Sequence, residues 1–486
     1  MFSSRAGWLA QVGLSLILAP WARSGDFRPA ARMRDPLKQL VFDTRAIEKT
    51  EGVRLRLGQV VKDSHNPLTQ PDKPWEDALD NVYPNLIYDE QERLFKLWHK
   101  CVLDEPAAAA KQESPPLLIN GVAWYLCYAT SRDGIVWDKP LFDLHRFDGS
   151  LATNAVARGV ANVGVFKDPH DADPARRYKM LSDIGARLPD NMRASFSPDG
   201  IHWTAPGRVE GLGNSGDTHT NAFWDDRLGK YVMFSRLYQG ERLVSRSESA
   251  DFLHWQKPQV VLRSTPEEGT AVQTYCMTVF PYANIYLGFV MMYHASGDKA
   301  VDCELAWSPD SVEWRRFAPG TPFIPRGPMG SYDGGCIYAQ AGSPVIQDHE
   351  LWIYYGGIRE VHRGWKRDCH LCLARLRIDG FAGCETADDL RPGTALTRPL
   401  LCAGEPLRVN VDIRRGGELR AEIVGEEGCS TEDCDPLRNS GVDAIIRWKS
   451  GKSLADFNGK TVQVKFTLRA ATLYAFSGLR QPPANP

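Results

Sequence analysis

The stretch Ser195-Phe196-Ser197-Pro198-Asp199-Gly200-Ile201-His202-Trp203 sets Ser-x-Asp-Gly-x-x-Trp directly after a run of strand character. Pro-Asp-Gly is turn chemistry: the Asp side chain bonds back to nearby backbone and Gly supplies a positive φ. The pattern returns at residues 131–137 (SRDGIVW), 249–255 (SADFLHW) and 308–314 (SPDSVEW), so the four starts lie 66, 52 and 59 residues apart. A reduced fifth copy, RIDGF, occupies 377–381. Recurrence at this spacing, with room for several strands in each unit, is the signature of β-propeller blades. The repetition also assigns Asp133, Asp199, Asp251 and Asp310 to turns, because a scaffold needs many equivalent turns and chemistry needs one asymmetric site.

Between these copies runs a second series, each member an apolar strand, a polar turn and an aromatic-rich strand. The members are NLIYDEQERLFKLWH from Asn85, VGVFKDPHDADPARRYKMLSD from Val163, NAFWDDRLGKYVMFSR from Asn221, MTVFPYANIYLGFVMMY from Met277 and SPVIQDHELWIYYGG from Ser343. Five hairpins alternating with five turns predict five blades of about four strands each. After about residue 395 the repeat gives way to period-2 alternation with hairpin turns at Gly416-Gly417 and Asn458-Gly459, which reads as a sandwich. The predicted fold class is all-β: a five-bladed β-propeller over residues 25–394, followed by a C-terminal antiparallel β-sandwich over 395–486.

Residues 1–24 combine an early Arg5, an apolar run from Trp8 to Pro20 and small residues at Ala22 and Ser24. They read as a secretory signal peptide, which places the mature chain outside the cell or in a periplasm. The apolar run is too short to span a bilayer, and no later segment reaches that length, so no membrane span is expected. Lys and Arg total 58 against 60 Asp and Glu, a formal charge of −2, which leaves no chain-wide field to attract nucleic acid or anionic lipid. Most of the 11 cysteines sit inside apolar strand-like runs and read as buried thiols. Cys429 and Cys434, flanking a loop, are the disulfide candidates in an exported chain. Cys369 and Cys372 have C-x-x-C spacing, but strand alternation sends them to opposite faces and no second pair completes a zinc set.

A propeller gathers the first strand of every blade around one axis, so functional side chains belong at the blade starts. Three acids occupy such positions: Asp80, Asp217 and Asp333. Glycosidic bond cleavage commonly uses two carboxyl groups, one protonating the leaving oxygen and one acting as base or nucleophile. Like charges converging on an axis would push one pKa upward, as a general acid requires. Trp75, Asn81, Tyr83, Arg158, His219, Tyr275 and Tyr332 are the accompanying candidates for substrate contact, since flat rings with polar edges suit sugars. Trp365 is a further aromatic candidate, and His294 and His362 are candidate lid contacts. No metal-ligand set is assigned and no cofactor is required, although a structural cation such as calcium at the axis would be compatible with the fold.

These features together resemble the five-bladed propeller glycoside hydrolases: the blade series, DNVYPNLIYD from Asp80, VFKDP with RYKM behind it, the repeated Ser-x-Asp-Gly-x-x-Trp and the C-terminal sandwich. The nearest groups are family 32-like proteins and the related families 43, 68, 117 and 130, and the likeness spans roughly residues 36–480. The family 32 nucleophile motif, Trp-Met-Asn-Asp-Pro-Asn-Gly, is matched here only by Asp80 and the later Pro84-Asn85. Lys167-Asp168-Pro169 is similar to that family's Arg-Asp-Pro, yet Asp168 lies inside a hairpin and reads as a turn. The family's Glu-Cys acid has no counterpart beyond Cys303-Glu304 in reversed order, and Asp217 takes the inner place in the third blade. The resemblance implies a glycosidase acting on an oligo- or polysaccharide, with Asp80 as base or nucleophile, Asp217 as acid and Asp333 as a third, orienting carboxylate. The alternatives are a non-catalytic carbohydrate-binding propeller and a phosphate-dependent glycoside phosphorylase.

Overall fold

The computed structural model describes residues 27–29, 34–76, 78–103, 118–119, 122–147, 150, 152–184, 190–364 and 366–482. The signal peptide expected at 1–24 and Trp365 lie outside the described residues. The chain is all-β, a propeller joined to a β-sandwich, and the helical turns among the described residues are the short 3-10 turns Pro174–Arg176 and Leu454–Phe457. Among those residues no helix is long and apolar enough to cross a membrane.

The first antiparallel meander runs Asn85–Asp89, Leu94–Leu103 and Val122–Ser131, with Ala155–Arg158 at its edge. The second is Ala161–Lys167, Tyr178–Asp183, Met192–Ser197 and Gly207–Arg208. Asn221–Asp225, Lys230–Tyr238, Arg242–Ser249 and Gln259–Leu262 form the third. The fourth is Val272–Tyr282, Ile285–His294, Val301–Ser308 and Arg315–Arg316. In the fifth, Cys336–Ala339 and Val345–Gln347 share one edge of Glu350–Ile358, which pairs on with Cys369–Arg377. Its outermost strand, Val61–Lys62, comes from the other end of the chain. A bridge between Asn85 and Ala341 ties the first meander to the fifth, so the ring closes on itself and leaves no bare edge there.

The first four blades are latched in succession by the same side-chain device. Tyr178, Tyr231 and Tyr286 donate their hydroxyls to Asp89, Asp168 and Asp225 of the preceding blade. Asp168 therefore serves the scaffold, as its hairpin position suggests. Asn85 and Asn221 accept from the backbone N–H of Val165 and Val279 one blade on, both at 2.9 Å. The Ser-x-Asp turns are equally repetitive. In the second blade Ser197 Oγ accepts from Gly200 N at 2.8 Å, Asp199 accepts from Ile201 N and His202 N, and Trp203 donates to Gly200 O. The third blade reproduces this with Phe252 at the fourth position, and the fourth, with Ser311 there, keeps the Asp and Trp bonds while Ser308 Oγ accepts from Asp310 N. Gly134, Gly200, Phe252 and Ser311 all take positive φ, between 69° and 82°.

The sandwich has a core of Val409, Leu419, Ile423, Phe466, Leu468 and Phe476, among others. Its larger sheet is ordered Ile47–Glu51, Gly393–Thr397, Val464–Ser477, Ala382–Thr386, Val53–Leu57, with Arg408–Ile423 also on Val464–Ser477. The opposing strands are Thr461–Val462, Leu400–Cys402 and Leu479–Arg480. Sheet pairing thus reaches across residue 395 to take in Ala382–Thr386 and two N-terminal strands. The expected Cys429–Cys434 disulfide does not form: all the cysteines are buried free thiols, and Cys434 Sγ instead caps Ala421 N at 3.3 Å.

Candidate active site

Asp80 opens a turn in which four consecutive residues have positive φ: Asp80 at 22°, Asn81 at 65°, Val82 at 57° and Tyr83 at 45°. Such a run, with a β-branched valine in it, is strained and persists only where surroundings over-determine it. Here Lys100 N bonds Val82 O, and Val82 N bonds Leu79 O. Gly356 leaves the clearance the turn needs, since a Cβ there would lie 2.6 Å from Asn81 O.

The turn presents the Asp80 carboxylate, 3% exposed, to two cations. Lys100 Nζ lies 2.6 Å from one oxygen and Arg367 holds the other, while Arg367 also donates to Asn81 Oδ1 at 2.7 Å. Burial alone would raise the carboxyl's pKa, but Lys100 and Arg367 outweigh it and hold Asp80 below the ordinary aspartate value. Cations rather than like charges surround Asp80, the acid expected to act as base or nucleophile. Lys100 rests over the rings of Trp124, at 4.0 Å, and Tyr83, at 4.8 Å, and feels Asp183 as well.

Asp217 occupies the start of the third blade with φ 55°. Its side chain is 54% exposed and paired with Arg236. The backbone N–H of Asp217 bonds the buried Asp183 carboxylate at 2.9 Å, which also accepts from Asn162 at 2.8 Å. Tyr275 lies beneath, with the Arg236 guanidinium 5.2 Å from its ring, its hydroxyl 3.2 Å from that of Tyr83, and both Asp217 and Asp80 acting on it electrostatically. Tyr338 completes an aromatic wall, edge-on to Tyr83 and Tyr275.

His219 is fully buried and stacks on Tyr83 at 4.8 Å, so it supports that ring from one face. Burial, with Lys100 nearby, pushes its pKa down to about 3 and keeps the ring neutral. His362, expected as a lid contact, is drawn in beside Arg367 and Tyr338 at 3.2 and 3.1 Å. Burial and the Arg367 charge hold it at about 3 as well.

Asp333 does not join this group. It is buried against Lys62 at 2.5 Å and Tyr355 at 2.9 Å, where it anchors the strand that closes the ring. Tyr332 beside it lines a separate cavity of about 590 Å³ with Gln70, Arg359 and His370. Trp75, half-buried, donates to Asn154 Oδ1 at 2.6 Å. Arg158 sits over the Tyr125 ring at 5.9 Å, with its Nε and one Nη buried and unpartnered.

The sequence reading missed Lys100, Asp183, Arg236 and Arg367. The first three are charged residues in the largely buried second strands of successive blades, in LWHKCVL, KMLSD and MFSRLY. An isolated charge in a run that should be buried was the available signal.

No family model matches the sequence, and no curated protein matches it. Among solved structures, a glycosyl hydrolase from Bacteroides ovatus is 13% identical at TM-score 0.45, covering 65% of this chain and 94% of that one. A β-1,2-mannobiose phosphorylase from Listeria innocua is 12% identical at TM-score 0.45, covering 66% and 98%. An N-acetylgalactosamine deacetylase from F. plautii is 12% identical at TM-score 0.39, covering 68% and 97%.

Proposed function

We propose that the axial site cleaves a glycosidic bond in an oligo- or polysaccharide. One observation carries this reading: two carboxylates in contrasting settings flank one aromatic wall, Asp80 buried and held ionised, Asp217 half exposed to solvent. Glycoside cleavage needs this division of labour between a charged base or nucleophile and a group that meets the leaving oxygen. Asp80 takes the first role and Asp217 the second. Tyr83, Tyr275 and Tyr338, all buried, pack behind the two carboxylates, and Lys100 and Arg367 fix Asp80 in position. The test is incubation of the chain with a glycan panel, reading released reducing ends, beside Asp217→Asn. Release by the wild type that falls about 10²–10⁴-fold in the variant supports the assignment. Binding of a glycan without any release would make the protein a sugar-binding propeller instead.

A second reading, with phosphate rather than water as the attacking group, is favoured by unfilled cationic donors. Arg158 Nε and Nη2, Arg242 Nε and Arg367 Nε are buried without hydrogen-bond partners. Phosphate oxygens are the natural occupants of such donors. Turnover that requires inorganic phosphate and yields a sugar phosphate would select this reading; equal turnover without phosphate would remove it.

A further inference from the structure

We propose that Glu76, His99 and Cys101, with Cys127 beside them, form a binding site for a soft divalent cation, of which zinc is the first candidate. This inference is independent of the reaction assigned to the axis.

His99 and Cys101 are two apart on the strand Leu94–Leu103, so both side chains lie on one face. Cys127 stands directly across from His99 in the pairing register and is likewise fully buried. Glu76 comes from the segment before Asp80. All four residues are buried, none more than 4% exposed. Glu76, His99 and Cys101 can each offer one donor atom within 4.8 Å of the other two.

The hydrogen bonding around Glu76 points to a missing occupant. Its Oε2 accepts from Lys139 Nζ at 2.7 Å and from the backbone N–H groups of Asp72 and Lys73 at 3.1 and 3.3 Å. Its Oε1 is buried with no hydrogen-bond partner and faces His99 Nε2 at 3.9 Å. Cys101 Sγ lies 3.8 Å from the other ring nitrogen. A separation of 3.9 Å is too long for a hydrogen bond, yet an unpartnered carboxylate oxygen is costly in a dry interior. Tetrahedral zinc with bonds of about 2.0–2.3 Å sets its ligand atoms about 3.3–3.8 Å apart, and because Glu76 and Cys101 now face opposite ring nitrogens, the His99 imidazole must turn to aim one nitrogen between them while the three donors, within 4.8 Å of one another, draw together.

Charge and ligand type agree with that occupant. Zinc binding displaces the thiol proton of Cys101 to solvent, and the 2+ ion is then balanced by one thiolate and one carboxylate. Lys139 and the two N–H groups orient the carboxylate from the far side, as outer partners of a metal ligand commonly do. Thiolate and imidazole disfavour calcium and magnesium, which separates this site from the calcium contemplated for the axis. Glu76 lies four residues before Asp80, and His99 adjoins Lys100, which grips Asp80. The ion would therefore clamp both arms that position the strained turn.

The experiment uses the full chain, stripped with a chelator and reloaded with Zn²⁺ alone or Co²⁺ alone, then gel-filtered and assayed for metal. The expected result is one zinc retained per chain in the presence of excess Ca²⁺ and Mg²⁺. Cobalt should give a sulfur-to-metal charge-transfer band, lost in Cys101→Ser. Glu76→Gln and His99→Asn should each weaken zinc retention at least about tenfold. Should these variants fail to fold, the wild-type cobalt spectrum decides: the charge-transfer band supports the site and its absence overturns it. A folded wild type that retains no stoichiometric zinc overturns the proposal. So does zinc retention unaffected by folded variants, or a Cys101–Cys127 disulfide in the native chain.

Discussion

The four-residue left-handed turn at Asp80 concentrates the site's chemistry and its cost in one place. Asp80 is a structural anion as well as the proposed base, because Lys100 and Arg367 are both buried against it. Removing one partner of a buried ion pair strands the other charge. Asp80→Asn should therefore abolish turnover and also lower stability by about 3–5 kcal/mol, whereas Asp217→Asn, which removes a half-exposed carboxylate from buried Arg236, should cost less, about 1–3 kcal/mol. Urea melts of the two variants check this contrast, and equal melts would mean that Lys100 and Arg367 do not depend on Asp80. The buried histidines give the fold a pH dependence of known sign. His219 and His362 have folded pKa values of about 3, far below the unfolded 6.5, so the unfolded chain binds more protons between these limits. Their contribution is complete above pH 6.5 and is lost as pH falls toward 3, by up to about 1.4 kcal/mol per pH unit for each. His362→Gln should flatten the slope of stability against pH in that window by about one proton, measured in urea melts from pH 7 to 4. Asp80 and Asp217 stood out in the sequence because they sit at blade starts; the cations paired with them did not, because Lys100 and Arg236 lie mid-strand and Arg367 is 287 residues from Asp80.

At the scale of the element, the Ser-x-Asp turn shows why the fold was readable. Each copy carries its own bonds: in the first three, Ser and Asp satisfy three successive backbone N–H groups, and in the second, third and fourth Trp closes onto the turn carbonyl. Nothing distant is needed, so four copies suffice to announce four blades. Ring closure by Val61–Lys62 had no such signal, because a two-residue strand is identified only by its partner Cys369–Arg377. The two components of the turn can be weighed against each other. Asp199→Ala removes a local cap and should cost about 1–2 kcal/mol. Gly200→Ala should cost more, about 2–4 kcal/mol, because φ is 82° and the new Cβ would sit 2.5 Å from the Trp98 ring of the preceding blade. Thermal melts of the two variants test the order, and neither substitution should alter turnover, since both lie away from Asp80 and Asp217. An inverted order would mean that the turn's own bonds outweigh its packing between blades.

At the scale of the molecule, propeller and sandwich are sewn together rather than strung in series. The N-terminal segment supplies strands Ile47–Glu51 and Val53–Leu57 to the sandwich, then crosses to close the fifth blade at Val61–Lys62. There Lys62 meets Asp333. The reduced fifth turn, RIDGF, has become the joint: Asp379 accepts from Tyr282 of the fourth blade at 2.6 Å, from Lys38 at 3.0 Å and from Asn410 of the sandwich at 3.0 Å. Arg377 reaches the carbonyls of Val411 and Gly441. The alternation after residue 395 revealed sheet-forming sequence but not its missing neighbours, since pairing over more than 300 residues leaves no local trace. A fragment of residues 395–486 lacks Ile47–Glu51, Val53–Leu57, Ala382–Thr386 and the first two residues of Gly393–Thr397, and so exposes the edges of Ala395–Thr397 and Val464–Ser477. Bare edges of this kind invite intermolecular pairing. The fragment should therefore aggregate or show no cooperative melt by circular dichroism, while the chain from residue 34 to 482 should melt in a single transition. A soluble, cooperatively folding 395–486 fragment would show that the N-terminal strands decorate the sandwich without being needed to build it.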